Sequence, residues 1–128
     1  TKVVTGFGGT DNAHGIFETN DKLYLLSPHE ILEDMDNNPD NGLNTVDRAY
    51  DYTRQLDYYK IHEVSTNGNT SYSIKKSNGT NFSWWTRTPY YPRAYSYIDC
   101  FTNIREHGSF GEAGVWGAHG ISPAFKIE

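Results

Sequence analysis

The residue types best suited to molecular recognition fall on alternate positions of one stretch. Taken every second residue from Arg93, the chain reads Arg93, Tyr95, Tyr97, Asp99, Phe101, Asn103, Arg105 and His107, all large or strongly hydrogen-bonding. The intervening Ala94, Ser96, Ile98, Cys100, Thr102, Ile104 and Glu106 are mostly small or apolar. A period of two is the strand signature, because successive side chains leave opposite faces of a sheet. The expectation is a strand pair with the small set turned to a core and the large set turned outward. Tyr, Arg and Asn are enriched on binding surfaces, and Tyr offers large contact area for a small loss of conformational entropy. Two readings fit: an ordinary amphipathic strand pair with a decorated outer face, and a ligand-binding face. Tyr90 and Tyr91 extend the candidate binding set upstream, and Trp116 and His119 extend it downstream.

Other chemistries find less support. Cys100 is the single cysteine, so no disulfide forms within the chain, and its place in the small set favours an inert buried thiol over a nucleophile. His14, His29, His62, His107 and His119 are far apart, without a His-x-x-x-His pair, which argues against a structural zinc site. There is no Gly-x-Ser-x-Gly elbow, and spacing selects no carboxylate pair among the 16 acids. The run Gly6-Phe7-Gly8-Gly9 lacks the Gly-Lys-Ser/Thr close of a phosphate loop and reads as turn glycine. Asp36, Asn38, Asp40 and Asp47 match the first, third, fifth and twelfth positions of an EF-hand loop. Asn41 stands where that loop needs glycine, so a solvated loop competes with a calcium site. No catalytic residue, metal ligand or cofactor is therefore assigned.

At 128 residues the chain is expected to form one domain, 1–128. Ten Tyr, 6 Phe and 3 Trp in a chain only 36% hydrophobic predict an aromatic-rich core. A net charge of -5 with no basic run argues against nucleic acid as partner. No segment approaches the roughly 20 apolar residues of a membrane helix, so membrane insertion is not expected. No signal-peptide pattern opens the chain, which leaves a start downstream of one open.

The elements that must position these residues follow from local signals. Residues 1–21 read as an irregular or edge region around one strand, Lys2 to Thr5. Lys22 to Leu26 is a strand candidate, apolar enough to be central. Ser27-Pro28-His29-Glu30 has the capping-box arrangement and predicts a short helix from Pro28 carrying Ile31, Leu32 and Met35. A second helix is predicted from Val46 to about Lys60, with Val46, Ala49, Tyr50, Thr53, Leu56 and Tyr59 on one face. Tyr72 to Lys76 is a weak strand or turn, and Asn67-Gly68 and Asn78-Gly79 are turn signals. Gly108, Gly111, Gly114, Gly117 and Gly120 punctuate a loop, and a closing strand carries Ile121, Phe125 and Ile127 on one alternation, tied into the main sheet.

Four motifs carry a resemblance: Leu25-Leu26-Ser27-Pro28-His29-Glu30, Thr53-Arg54-Gln55-Leu56-Asp57-Tyr58-Tyr59, Trp84-Trp85-Thr86-Arg87-Thr88-Pro89 and Gly120-Ile121-Ser122-Pro123-Ala124-Phe125. Over about residues 20–128 the chain resembles a bacterial and prophage domain family of the C-type-lectin-like fold, some members of which are variable proteins of diversity-generating retroelements. Residues 1–20 match it poorly. Thr86, Thr88 and Ile121 stand where that family more often has Leu, Ser and Val. The resemblance implies an α+β fold with two helices around a small mixed or antiparallel sheet and a loop-rich C-terminal half.

It also implies a ligand- or receptor-binding domain, not an enzyme, with a diversified face shown on a phage tail or bacterial surface. The partner would be a protein or glycan on a cell surface, and oligomers could arise through a larger parent protein. In such proteins diversified positions hold residues encodable by codons ending in cytosine. Arg93, Tyr95, Tyr97, Asp99, Phe101, Asn103, Arg105, His107, Tyr90 and Tyr91 satisfy that restriction, whereas Trp84, Trp85, Glu106, Glu112 and Trp116 do not. Trp84, Trp85 and Arg87 would then form a fixed floor. Two alternatives stay open: a carbohydrate-binding module stacking sugars on Tyr90, Tyr91, Tyr95 and Trp116, and an enzyme related by fold to formylglycine-generating proteins. The latter chemistry uses paired cysteines, and this chain has Cys100 alone.

Overall fold

The computed structural model describes residues 2–6, 16–32, 55–66, 68–89 and 100–127. These residues form a small α+β domain in which, among the described residues, two short helices accompany antiparallel strands arranged in small sheets. β1 (Lys2–Gly6) and β2 (Ile16–Asn20) form a hairpin with Lys2 opposite Asn20 and Gly6 opposite Ile16. The second of these strands was not legible among the glycines and polar residues of the N-terminal segment.

The Lys22–Leu26 run contracts to β3, Tyr24–Leu25, which pairs with β9, Pro123–Ala124. Leu23 is 63% exposed, so apolar composition alone overstated the strand. Helix α1, Pro28–Ile31, begins where its capping box places it, with Glu30 accepting the Ser27 amide at 2.7 Å. It lasts one turn. Leu32 turns extended at φ -114° and ψ 124°, and Ile31 and Leu32 are both buried. Met35 and the Asp36–Asp47 loop lie outside the described residues.

The second helix, expected from Val46 to about Lys60, is not continuous: helix α2 spans Asp57–Ile61, and Leu56 before it is extended at φ -65° and ψ 143°, while Val46, Ala49, Tyr50 and Thr53 lie outside the described residues. Tertiary hydrogen bonds override the helical period here. Gln55 Nε2 donates to Ile31 O at 2.8 Å and to Val64 O at 2.7 Å, and the Leu56 amide donates to Glu30 O at 2.9 Å. These bonds hold residues 55–56 against α1, so Tyr59 is buried while Leu56 is partly exposed.

A 3₁₀ turn at Thr70–Ser73 leads into the hairpin of β4 (Lys75–Ser77) and β5 (Thr80–Phe82). Its turn residues Asn78 and Gly79 both have positive φ, 50° and 78°, the conformation that makes Asn-Gly a hairpin signal. The main sheet then runs β6 (Trp84–Pro89), β7 (Cys100–Ile104) and β8 (Phe110–Gly114) in spatial order. Trp84 sits opposite Ile104 and Trp85 opposite Asn103, with a register shift before Pro89 meets Phe101.

Leu26, Ile31, Leu32, Tyr59, Val64, Trp84 and Ile104 form the core, with Tyr24, Phe110 and Ala124 packed against it. The described core is mixed aliphatic and aromatic, not predominantly aromatic. The closing strand contracts to Pro123–Ala124 and pairs with β3 in a separate two-stranded sheet, not with the main sheet. Ala124 meets the core, while Ile121, Phe125 and Ile127 are 65%, 64% and 84% exposed.

Candidate recognition site

Alternation along β6 sorts its side chains onto two faces. Trp84, Thr86 and Thr88 are buried on one, and Trp85 and Arg87 leave on the other. Directly paired residues share a face, so Ile104 joins the buried side and Asn103 joins Trp85, and alternation along β7 then puts Thr102 with Ile104 and Phe101 with Asn103. The small set of the sequence pattern is thus turned inward, at least for Thr102 and Ile104, both 0% exposed.

The inward face is a hydrogen-bonded threonine floor. Thr102 Oγ1 donates to Thr88 O at 2.9 Å, and Thr86 Oγ1 donates to Thr102 O at 3.1 Å while touching the Thr102 hydroxyl. These bonds tie β6 to β7 across the register shift.

On the other face, Leu25, Trp85, Thr86, Arg87, Phe101 and Val115 line a cleft of about 350 Å³. Arg87 is held there rather than free. Its Nη1 donates to Leu25 O at 3.1 Å and meets Glu30 Oε2 at 2.5 Å, in an ion pair whose side chains are only 8% and 6% exposed. The same carboxylate oxygen caps α1, so strand, helix start and cleft wall share one charge. At the other end, His119 packs edge-on against Trp85, ring centroids 4.5 Å apart, with Nδ1 2.5 Å from Ser83 Oγ.

Of the candidate set, Phe101 is half-buried in the cleft wall and His119 supports its tryptophan. Asn103 is a correction: it is 3% exposed, not an outward contact. Gly111, its pairing partner, leaves the space it fills, since a Cβ at Gly111 would lie 2.6 Å from Asn103 Oδ1 and 2.4 Å from Arg105 Nε. Asn103 Oδ1 has no hydrogen-bond partner among the described residues. Arg105 and His107 are exposed at the β7–β8 turn, where His107 Nε2 lies 2.7 Å from Ser109 Oγ. Trp116 is 77% exposed and lies against Gly114, the partner of Cys100, so it belongs with the face opposite Phe101. Tyr90, Tyr91, Arg93, Tyr95, Tyr97 and Asp99 lie outside the described residues. Sequence reasoning missed Leu25 and Val115, which reach the cleft only through long-range packing and carry no local signal for it.

Among the described residues, no group of three or more His, Cys, Asp or Glu is placed to hold a metal ion. No described helix is long and apolar enough to cross a membrane.

The four sequence motifs converge on this scaffold. Glu30 of the first meets Arg87 of the third, and Gln55 of the second bridges Ile31 and Val64. Gly120 of the fourth accepts the Trp85 amide at 3.0 Å and donates to Ser83 O at 2.8 Å, and Pro123–Ala124 pairs with Tyr24–Leu25. One family model, a domain of unknown function, matches residues 1–128. The chain belongs to the DUF6273 family. The match includes residues 1–20, so the β1–β2 segment belongs to the DUF6273 domain. No curated protein and no solved structure matches this DUF6273 domain.

Proposed function

We propose that this DUF6273 domain is a ligand-binding module of C-type-lectin-like type, with its recognition surface on the Phe101 face and the Tyr90–Asp99 segment. The observation that carries the proposal is the cleft beside Phe101, walled by Trp85 and Val115 and floored by Arg87, which the buried Glu30 pair holds in place. A recognition face must change or adapt its contacts without unfolding the domain, and side chains standing out from a rigid sheet meet that need. The threonine floor and the Arg87–Glu30 pair supply the rigidity; Phe101, His119 and the Tyr-rich segment supply apolar area and adjustable polar contact. The lectin-like assignment is supported by the convergence of the four motifs on one core and by short helices beside small antiparallel sheets.

Within this reading the face is diversified and the domain is displayed outside the cell, on a phage virion or a bacterial surface, where its ligand is a protein or glycan. Two experiments test it. Flow cytometry of the labelled domain on a panel of bacterial cells should show saturable staining that F101A weakens; staining indifferent to F101A refutes the site. The DNA flanking the gene should encode a reverse transcriptase and a near-identical repeat of the segment for residues 84–120; their absence refutes diversification but not binding. The exposed Trp116 indole favours a carbohydrate-binding module as the second reading. A glycan array that captures the domain, with W116A abolishing capture and F101A sparing it, selects that reading.

A further inference from the structure

The paired tryptophans serve two different concavities. Trp85 lines the Phe101 cleft, while Trp84, one residue away and turned to the opposite side of β6, forms part of a second groove of about 400 Å³. That groove runs between the β4–β5 hairpin and the Gly120–Pro123 segment. We propose that it docks an extended, acidic peptide segment of a partner protein, independently of the Phe101 cleft.

Charge is the first argument. Lys75 and Lys76 both line the groove, none of its described lining residues is a carboxylate, and neither lysine forms an ion pair among the described residues. In a chain of net charge -5, this is a local positive patch against the overall sign. It attracts an anionic segment at short range and loses that attraction as salt rises. The hydroxyl-bearing Ser77, Ser83 and Ser122 add hydrogen-bonding groups along the same walls.

The apolar part of the lining selects a peptide over a sugar. Phe82 and Ile121 are 41% and 65% exposed at the groove, so an apolar side chain between two carboxylates finds aliphatic and aromatic contact there. Sugar stacking needs an open aromatic face. The Trp84 indole is 1% exposed, its Nε1 donates to Ser73 O at 3.1 Å, and Lys75 Nζ stands 5.7 Å from its ring centroid. The Phe82 ring is turned toward Gly120, where an added Cβ would lie 3.5 Å from it.

A random-peptide array graded by net charge, probed with the labelled domain, tests the assignment, followed by fluorescence polarisation on a captured peptide. Captured peptides should be net negative with at least one apolar residue, and K75E/K76E should weaken binding about tenfold or more. K75Q/K76Q should weaken it less, raised salt should reproduce the loss, and F101A should bind as wild type does. Circular dichroism should show all variants folded, since both lysines are exposed. Capture of no peptide, capture indifferent to charge, unchanged binding by K75E/K76E, or loss of binding in F101A overturns the proposal. Capture of anionic glycans in place of peptides overturns the ligand class.

Discussion

Replacing Arg87 with methionine removes the charge that joins α1 to β6 while keeping much of the side chain's length. Glu30 then keeps its bond to the Ser27 amide but loses its countercharge, with the carboxylate only 6% exposed. Leu25 O loses a donor in the same step. Breaking a buried pair from one side costs about 3–5 kcal/mol, because the remaining charge stays desolvated. For a domain between the small and large size classes, each kcal/mol moves the midpoint by about 3–5 °C, so R87M should melt about 9–25 °C below wild type. E30Q retains an acceptor for Ser27 and should cost less. In R87M/E30Q neither charge is stranded, so the double variant should be more stable than the sum of the single losses by about 1–3 kcal/mol. Urea unfolding followed by tryptophan fluorescence measures all four proteins. A loss below about 1 kcal/mol in R87M, the scale of an exposed pair, or strict additivity in the cycle, refutes the keystone role.

Burial pushes the Tyr59 phenol up to about 12, with the Tyr58 and Glu30 charges adding to the shift. A raised folded value keeps that contribution intact below pH 10 and removes it between pH 10 and 12, by on the order of 2 kcal/mol. Denaturant titrations across that range should show the loss in wild type and its reduction in Y59F. The buried Thr88 hydroxyl has no hydrogen-bond partner among the described residues, whereas Thr102 donates to Thr88 O. T88V should therefore be neutral or stabilising and T102V should cost about 1–3 kcal/mol, as read by thermal melts. Gly108 has φ 87°, and a Cβ there would lie 1.9 Å from Thr70 O, so G108A should lose about 2–4 kcal/mol by the same melts.

Local chemistry made part of this fold readable. The capping box at Ser27–Glu30 and the Asn78-Gly79 turn depend on neighbours within four residues, and both formed where their residues stand. The alternation across Thr102 to Ile104 was legible because a sheet face imposes it. The second helix is interrupted at residues 55–56 because Gln55 and Leu56 are held by partners 24 and 26 positions away in sequence, Ile31 and Glu30, bonds that no period reveals. Asn103 failed as a contact for a related reason. Its type suits a surface, but Gly111 on the next strand creates a buried space for it. The closing strand shows the converse, with Ile121, Phe125 and Ile127 in alternation yet exposed, since periodicity fixes a common face and not which face meets the core. The cleft itself requires β3, β6, β7 and the residue after β8 to meet; of the described candidate contact residues Phe101 lines it, beside Trp85 and Arg87 of the expected floor.

The most direct test of a recognition surface on the Phe101 face is the triple variant Y95S/Y97S/F101S, measured for both cell-surface binding and thermal midpoint. On the proposed reading, in which these side chains serve the ligand, binding to the bacterial cells that wild type stains should fall about tenfold or more, while the midpoint stays within about 5 °C. Retained binding, or a fall in midpoint beyond about 15 °C, would contradict the account.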